Sequence, residues 1–182
     1  MKKKAVMPPV DPDRRLFPPW AAPGQWREAN TALGDALVRH GEKLGPAREC
    51  SRVLQNRLAR LFPLLDALCE TTCRFCPDSC CLNARIWLDF KDLLFLHLTG
   101  QAIPMAQLIA HRHSRCVCIG HNGCVLPRLS RPWVCTWYLC PAQTLRLRRR
   151  PGSDQTFFSE TVQAVKTLRN NMENAFVRVV AR

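Results

Sequence analysis

Apolar side chains recur at helical spacing through the first third of the chain. Over residues 25–40 they fall three or four positions apart, and a glycine follows the stretch. A second apolar stripe begins near Pro46, a residue suited to the first turn of a helix, and continues to residue 68. Pro63 interrupts this stripe, so we expect the second helix to kink or restart there. The pattern predicts a helical segment over residues 25–68.

The middle of the chain mixes short helical signals with stretches that have no period. Asp89 is suited to cap a helix that ends near residues 99–100. A further short helix is expected over about residues 104–111. Residues 115–141 contain five cysteines among glycine, proline and aromatic residues and show neither helical nor strand periodicity. This stretch is therefore expected to be rich in loops.

The two ends of the chain differ in character. Residues 1–24 carry lysines and prolines without an apolar period, which predicts a flexible or extended leader. Residues 142–153 are rich in arginine and are expected to form a basic linker. Residues 154–182 place apolar side chains on one face of a C-terminal amphipathic helix. That face either packs on the same core or binds another protein.

The cysteine content indicates what kind of protein this is. Eleven of the 182 residues are cysteine, well above ordinary usage. Prolines and charges stand where a signal peptide needs an apolar stretch, and no run of about 18 apolar residues is present. We therefore expect a cytoplasmic protein without a membrane span. In that reducing compartment a dense cysteine set indicates metal binding or redox chemistry rather than a disulfide framework.

The cysteines form two dense groups, within residues 69–81 and 116–140. In the first, the C-x2-C spacing of Cys73 and Cys76 lets two sulfurs reach one metal ion across a tight turn. The predicted fold is mainly α, with helices framing an irregular cysteine-rich metal-binding domain over residues 69–141 and little or no β-sheet. Cys50 lies apart from both groups, near the apolar stripe of the second helix, and is expected to be a small buried apolar residue.

The adjacent pair Cys80 and Cys81 bears on the number of metal centres. Neighbouring side chains point to opposite sides of an extended chain and about 100° apart on a helix, so they seldom bind one ion. Two arrangements fit. Either two centres lie close together and each draws on both groups, or one cluster is accompanied by a free thiol.

The order of these residues resembles a known family. The segments CRFCPDSCC, WLDFKDLL and CIGHNGCVLPRLSRPWVC look like the YkgJ-type domain, described as a zinc- or iron-chelating domain, over about residues 69–141. The likeness is most specific in the double cysteine and in the R-P-x2-C motif that ends at Cys135. The resemblance implies eight metal ligands, namely Cys73, Cys76, Cys80, Cys81, Cys118, Cys124, Cys135 and Cys140. It leaves Cys69 and Cys116 over.

Zinc and an iron–sulfur cluster both remain open as the bound group. Four thiolates suit a tetrahedral zinc ion or a [4Fe–4S] cluster. The Cys-Pro pairs that begin at Cys76 and Cys140 are similar to one in bacterial ferredoxins, but such pairs also occur in zinc loops. A similar cysteine motif is found in flagellin lysine methylases, where it is linked to an iron–sulfur cluster.

Histidine and arginine residues near the cysteines are predicted to support the metal site rather than to bind the metal. We expect His111, His113 and His121 to lie at the surface or behind the ligands, since cysteines are already sufficient. A guanidinium at Arg131 would offset the negative charge of a thiolate site and could donate to sulfur. The sequence contains no P-loop, dinucleotide-binding, zincin or nucleophile-elbow motif, so no enzymatic site is visible.

Three functions follow in order of preference. The first is a metal-binding cysteine-cluster protein with a structural or redox-accessory role. The second is an iron–sulfur component of a protein-modifying enzyme, such as a lysine methylase. The third is a zinc-stabilised nucleic-acid-binding protein, which the formal charge of +13 would suit. For the third, the basic run Arg146, Arg148, Arg149 and Arg150 and the nearby Trp133, Trp137 and Tyr138 would contact single-stranded nucleic acid. The same residues could equally be a solvated linker with core tryptophans beneath it.

Overall fold

The computed structural model describes most of the chain between residues 18 and 181. The described residues are 18–73, 76, 85–109, 115–120 and 123–181. Within them the chain forms six α-helices and one short antiparallel ladder. In chain order these are α1 (Pro23–His40), α2 (Gly45–Thr72), α3 (Phe90–Thr99), β1 (Ile119–Gly120), β2 (Gly123–Cys124), α4 (Val134–Trp137), α5 (Pro141–Arg148) and α6 (Gly152–Val180). The prediction of a mainly α fold is confirmed.

The first two helices agree with the predicted helical segment, and α2 is longer than expected. Each begins with a proline in its first two positions, where a missing N–H leaves no helical hydrogen bond unmade. Pro63 lies inside α2 without ending it. Leu61 and Leu64 are buried on either side of this proline, so packing offsets the lost backbone bond. Because α2 continues to Thr72, the boundary predicted after residue 68 is wrong, and Cys69 lies on the last turn of a helix.

The long helices α2 and α6 pack against each other and form the centre of the fold. The larger apolar cluster joins Leu54 of α2, Leu94 of α3 and Met172 of α6, all nearly inaccessible to solvent. A smaller cluster joins the second half of α2 to Leu147 of α5. The smaller cluster therefore holds α5 against the part of α2 that leads to Cys69.

Both ends of α3 follow from its sequence. The Asp89 carboxylate accepts a hydrogen bond from the Asp92 backbone N–H at 2.8 Å, and the Asp92 carboxylate accepts one from the Asp89 N–H at 3.1 Å. This reciprocal arrangement satisfies two N–H groups that the helix cannot bond internally. At the other end Gly100 has φ of +63° and terminates the helix in the left-handed conformation.

Replacement of Gly100 tests the left-handed end of α3. A Cβ at this position would meet no atom within 4 Å, so the cost of Gly100→Ala is that of the backbone conformation alone. We expect the free energy of unfolding to fall by about 1 to 2 kcal/mol, measured by urea denaturation. Gly34→Ala is the matched control, since Gly34 lies inside α1 with equally open space, and we expect it to stabilise by about 0.5 to 1 kcal/mol. Equal effects at the two sites would contradict this account.

The short helix predicted over residues 104–111 is wrong in its described part, because residues 104–109 form no helix. The buried Gln107 amide accepts a hydrogen bond from Leu88 N at 2.9 Å and donates one to Leu88 O at 3.0 Å. Leu108 O accepts from Val117 N at 3.0 Å. Bonds to distant segments thus replace the local bonds of a helix. Residues 110 and 111 lie outside the described part.

The stretch predicted as a basic linker, residues 142–153, is helical at both ends. α5 covers its first half because Pro141 suits the first turn, Cys140 caps it, and Leu147 is buried against α2. α6 begins at Gly152, two residues before the predicted start of the last helix at 154. The arginines that suggested a linker occupy the outer face of a docked helix.

The apolar face of α6 packs on the core of the same chain. Val165, Met172 and Phe176 are buried, and the Phe176 ring lies 5.8 Å from that of Phe90, centroid to centroid. Of the two roles predicted for this face, packing on the same core is the one observed; an additional protein partner there stays a prediction. In the part of the chain that the structure describes, no helix is long and apolar enough to cross a membrane.

The described end of the predicted leader is packed on the folded part of the chain. The Trp20 ring lies 6.4 Å from that of Trp26, centroid to centroid. Pro19 O accepts a hydrogen bond from the Gln107 amide at 3.0 Å. The leader predicted over residues 1–24 therefore does not extend beyond residue 17 as a separate segment. Residues 1–17 lie outside the described part.

Candidate functional site

Three thiols from the two cysteine groups lie around the junction of α2 and α5. Cys69 is on the last turn of α2, and Cys73 follows it one turn later, with its N–H donating to Cys69 O at 2.7 Å. Cys140 is the N-cap of α5. The packing of α5 on α2 thus brings a residue of the second cysteine group beside the first.

Gln143 contacts all three of these residues. Its side-chain Nε2 lies 3.3 Å from Cys69 Sγ and 3.5 Å from Cys73 Sγ, while its backbone N–H donates to Cys140 Sγ at 3.5 Å. Its Oε1 accepts a hydrogen bond from Cys140 N at 3.3 Å. Gln143 is buried, Cys69 and Cys140 are half-buried, and Cys73 is exposed. We name the set Cys69, Cys73, Cys140 and Gln143 the junction site.

A positive charge borders the junction site. Arg128 Nη2 lies 3.6 Å from Cys69 Sγ, and Arg128 Nε donates to Asp66 Oδ1 at 2.8 Å. The hydrogen bond with Cys73, together with the hydrogen bond and charge of Arg128, lowers the pKa of Cys69 to about 6, against burial and the charge of Asp66. The Cys69 sulfur is therefore a thiolate at neutral pH in this structure.

A second group of thiols surrounds the short hairpin. Cys116 and Cys118 are buried, and Cys124 pairs with Ile119 across the β1–β2 ladder. Val125 N donates to Cys118 O at 2.8 Å and extends this pairing. Burial, followed by the charges of Cys116 and Cys124, raises the pKa of Cys118 to about 11. We name Cys116, Cys118 and Cys124 the hairpin site; in contrast to Cys69, its Cys118 is a neutral thiol.

The R-P-x2-C motif shapes the loop beside the hairpin site. Arg131 Nε donates to Leu126 O at 2.9 Å, and Arg131 Nη2 donates to Cys124 O at 3.3 Å. These described contacts are with backbone carbonyl oxygens. The hypothesis from the sequence was that this guanidinium offsets the charge of a thiolate site and could donate to sulfur, and the charge-offsetting part of it stays a prediction. Cys135, at the end of the motif, is half-buried against the larger apolar cluster. The guanidinium thus fixes the chain that follows Cys124.

A buried ion-pair network attaches this loop to the helices. Arg169 of α6 donates to Asp92 Oδ1 at 2.5 Å and to the two Asp89 oxygens at 2.8 and 2.9 Å. Asp92 Oδ1 also accepts a hydrogen bond from Trp133 N at 3.0 Å. Burial raises the pKa of Asp92 to about 6, and the charge of Arg169 opposes that rise. We name Asp89, Asp92 and Arg169 the ion-pair network.

The predicted ligands are only partly covered by the structure. Of the eight, Cys80 and Cys81 lie outside the described residues. His111, His113 and His121, which were predicted to lie at the surface or behind the ligands, are outside them as well. The remaining six predicted ligands are described. They are Cys73, Cys76, Cys118, Cys124, Cys135 and Cys140. Among the residues that the structure describes, no three His, Cys, Asp or Glu side chains are arranged to hold a metal ion.

The sequence analysis gave no role to two cysteines that lie in these two sites. Cys69 lies in the junction site and Cys116 in the hairpin site. The spacing of Cys69 and Cys73, four residues apart at the end of a predicted helix, could have indicated that their side chains share one face. Nothing in the sequence indicated Gln143, whose role depends on how α5 packs.

The donor chemistry of both sites fits a thiophilic metal. Thiolates bind zinc and iron–sulfur clusters, and hydrogen bonds to sulfur from neighbouring N–H groups are usual around such centres. The junction site supplies three sulfurs with amide donors and a nearby guanidinium. A full set of four ligands would need Cys76 or the cysteines at 80 and 81.

The basic and aromatic residues near α5 are exposed. Trp137 and Tyr138 are each more than two-fifths accessible, and their rings meet edge to face with centroids 6.2 Å apart. Arg146, Arg148 and Arg149 lie on the exposed side of α5 and its end. This surface has the residue types that stack on and neutralise single-stranded nucleic acid, and binding of nucleic acid stays a prediction.

Comparison of the chain with protein-family models, with curated proteins and with solved structures gives no match.

Proposed function

We propose that this chain is a metal-binding cysteine-cluster protein, of the YkgJ type by resemblance, that holds zinc or an iron–sulfur cluster in a structural or redox-accessory role. The observation that carries the proposal is the meeting of Cys69 and Cys73 with Cys140, about 70 residues away along the chain, around the single side chain of Gln143. Thiolate metal centres combine cysteines from distant segments with N–H donors to sulfur, and the junction site has both features. The described side chains do not by themselves complete a group that could hold the ion.

The residues that would hold the metal fall into two sets. Cys73 and Cys140 at the junction site would bind with cysteines from residues 76–81. Cys118, Cys124 and Cys135 would bind at or near the hairpin site. A bound zinc ion would crosslink these segments, and a bound cluster would in addition accept or donate one electron. The protein's part would be to keep the sulfurs close, to donate N–H hydrogen bonds to them and to offset their negative charge.

Removal of single thiols tests the proposed ligands. Cys76→Ser and Cys135→Ser should each lower the zinc or iron content per chain, together with the melting temperature, because metal-binding free energy contributes to folding. Cys50→Ser is the control, since Cys50 is half-buried against the apolar cluster on α2 and should leave metal content unchanged. Metal content would be read by elemental analysis of protein purified without oxygen. Equal metal content in all three variants would refute the ligand set.

A further inference from the structure

Two aromatic side chains lie exposed immediately before α5. Trp137 is 43% and Tyr138 is 46% accessible, and their rings meet edge to face. Trp137 N donates a hydrogen bond to Trp133 O at 3.2 Å, and Trp133 packs against the larger apolar cluster. The two rings therefore reach solvent from a backbone that is fixed to the core. Rings held in this way can stack on a planar ligand at little cost in conformational entropy.

α5 turns its arginines outward because its contact with α2 is on the opposite side. Gln143 and Leu147, four residues apart, are buried and mark the inner face. The eight residues of α5 span about 12 Å, so the rings before its start and the arginines at its end can contact one short strand. We name the exposed side chains before, on and just after α5 the basic–aromatic surface, which consists of Trp137, Tyr138, Leu145, Arg146, Arg148 and Arg149.

The three arginines of this surface form no ion pair in the part of the chain that the structure describes. The sequence has no Asp or Glu between Asp92 and Asp154, although eight arginines lie in that stretch. Two of the eight are paired with carboxylates outside it. Arg128 pairs with Asp66, and Arg150 pairs with Asp154. The basic–aromatic surface thus carries positive charge and suits a polyanion.

The residue types on this surface distinguish between classes of polyanion. Unpaired bases expose faces on which aromatic rings stack, whereas in a duplex neighbouring base pairs cover those faces. A lipid surface would need a wide apolar face, but Leu147 of α5 is buried against α2 and only Leu145 is a large exposed apolar side chain of this helix. Carboxylates of an acidic peptide would use the arginines and not the two rings. Single-stranded nucleic acid uses both.

We propose that the basic–aromatic surface binds single-stranded nucleic acid, with its arginines on phosphates and with Trp137 and Tyr138 stacked on bases. Phosphate contacts do not read base identity, and every base has a face on which a ring can stack, so binding should show little sequence preference. This inference goes beyond the proposed function and does not depend on which metal the cysteines hold.

The test measures binding of the full-length protein to labelled strands of about 12 nucleotides by fluorescence anisotropy, over about 50 to 200 mM salt. Oligouridine and oligothymidine are compared, so that tighter binding of one identifies RNA or DNA as the ligand.

Removal of the three arginines tests the phosphate contacts. The combined variant Arg146→Gln, Arg148→Gln and Arg149→Gln should reduce the slope of log K against log salt concentration by about 2, since each neutralised phosphate contributes about 0.7. A control variant removes the same charge from exposed positions on α1 and the start of α2, and it should change the slope by less than about 0.5. Its substitutions are Arg27→Gln, Arg39→Gln and Arg48→Gln.

Removal of one ring tests stacking separately from charge. Trp137→Ala should weaken binding about 5- to 100-fold at each salt concentration and leave the slope unchanged, because no phosphate contact is lost. Trp137→Phe keeps a ring and should retain the affinity within about threefold. Both changes are made at an exposed side chain, so the melting temperature and the metal content should match those of the wild type.

Several results would overturn the inference. One is wild-type protein that binds neither strand at about 50 mM salt, and another is an equal change of slope in the two triple variants. Unchanged affinity in Trp137→Ala would overturn the stacking role. Tighter binding of a duplex, an acidic peptide or vesicles of anionic lipid than of either single strand would assign the surface to another class of partner. Each of these results leaves the proposed function standing, since metal content is measured independently.

Discussion

Arg169→Met lowers the free energy of unfolding at pH 7 by about 3 to 5 kcal/mol, because it removes the cation from a buried ion pair and leaves a carboxylate uncompensated. Arg169 is 6% exposed and Asp92 is equally buried, so water cannot replace the missing partner. Methionine preserves most of the volume, which makes charge rather than a cavity the main change. Urea denaturation followed by circular dichroism would measure the loss. Lys166→Met, on an exposed position of the same helix, should change stability by no more than about 0.5 kcal/mol.

The loss in Arg169→Met should depend on pH. In the wild-type protein burial raises the pKa of Asp92 to about 6, above its ordinary value, so the stability contributed by that protonation is present at low pH and is lost as the pH rises through 6. Without Arg169 the charge that opposes this rise is gone, and the pKa of Asp92 in the variant must be higher still. The difference between variant and wild type should therefore be smallest near pH 4 and should grow above pH 6. A difference that stays constant from pH 4 to 7 would contradict the role assigned to the buried carboxylate.

Metal removal is expected to loosen the cysteine-rich segment while the long helices persist. The described residues of the segment 115–140 form only short elements of regular structure, and few of their side chains are buried, so the proposed metal would supply much of the stability of this segment. The core that contains Leu54, Leu94 and Met172 is built mainly from apolar side chains, so we expect it to persist without the metal. After chelation, hydrogen exchange at Val125 N, which bonds to Cys118 O, should become faster by on the order of 100-fold or more.

The α2 and α6 amides provide the comparison for that experiment. Their exchange should stay within about threefold of the wild-type rate, since both helices contribute apolar side chains such as Leu54 and Met172 to one shared core. Trp133 N donates a hydrogen bond to Asp92 and so connects the cysteine-rich segment to the ion-pair network. Its exchange rate after chelation reports whether this hydrogen bond persists. If chelation left the exchange of Val125 unchanged, or if it unfolded the helices to the same extent, the proposed division between core and metal-dependent segment would be wrong.

The helices could be predicted where local chemistry decides them. Asp89 and Gly100 mark the ends of α3 by their side-chain and backbone preferences, and both were read from the sequence. α5 was missed because its cap is a cysteine and its outer face is rich in arginine, although Pro141 and Leu147 both suit a docked helix. The helix expected near Pro104 failed because the Gln107 side chain bonds to Leu88, a contact that no local pattern reveals.

The sequence allowed us to predict which residue types form the candidate site, but not which cysteines lie near one another. The spacing of the cysteines indicated a split ligand set, and Cys140 does lie beside Cys73 through their shared contact with Gln143. The nearness of Cys69 to Cys140 depends on how α5 docks on the smaller apolar cluster, which is a tertiary contact. For the same reason the hydrogen bonds that Arg131 donates to the carbonyl oxygens of Leu126 and Cys124 could not be predicted.

The central claim is that the chain holds a thiolate-bound metal, and its most direct test is elemental analysis for zinc and iron with an absorption spectrum. The protein would be purified without oxygen and without an affinity metal. The account predicts either one or two zinc ions per chain without colour, or about four irons per chain with broad absorption near about 400 nm. Fully folded protein that contains neither metal above the level of a blank would contradict it.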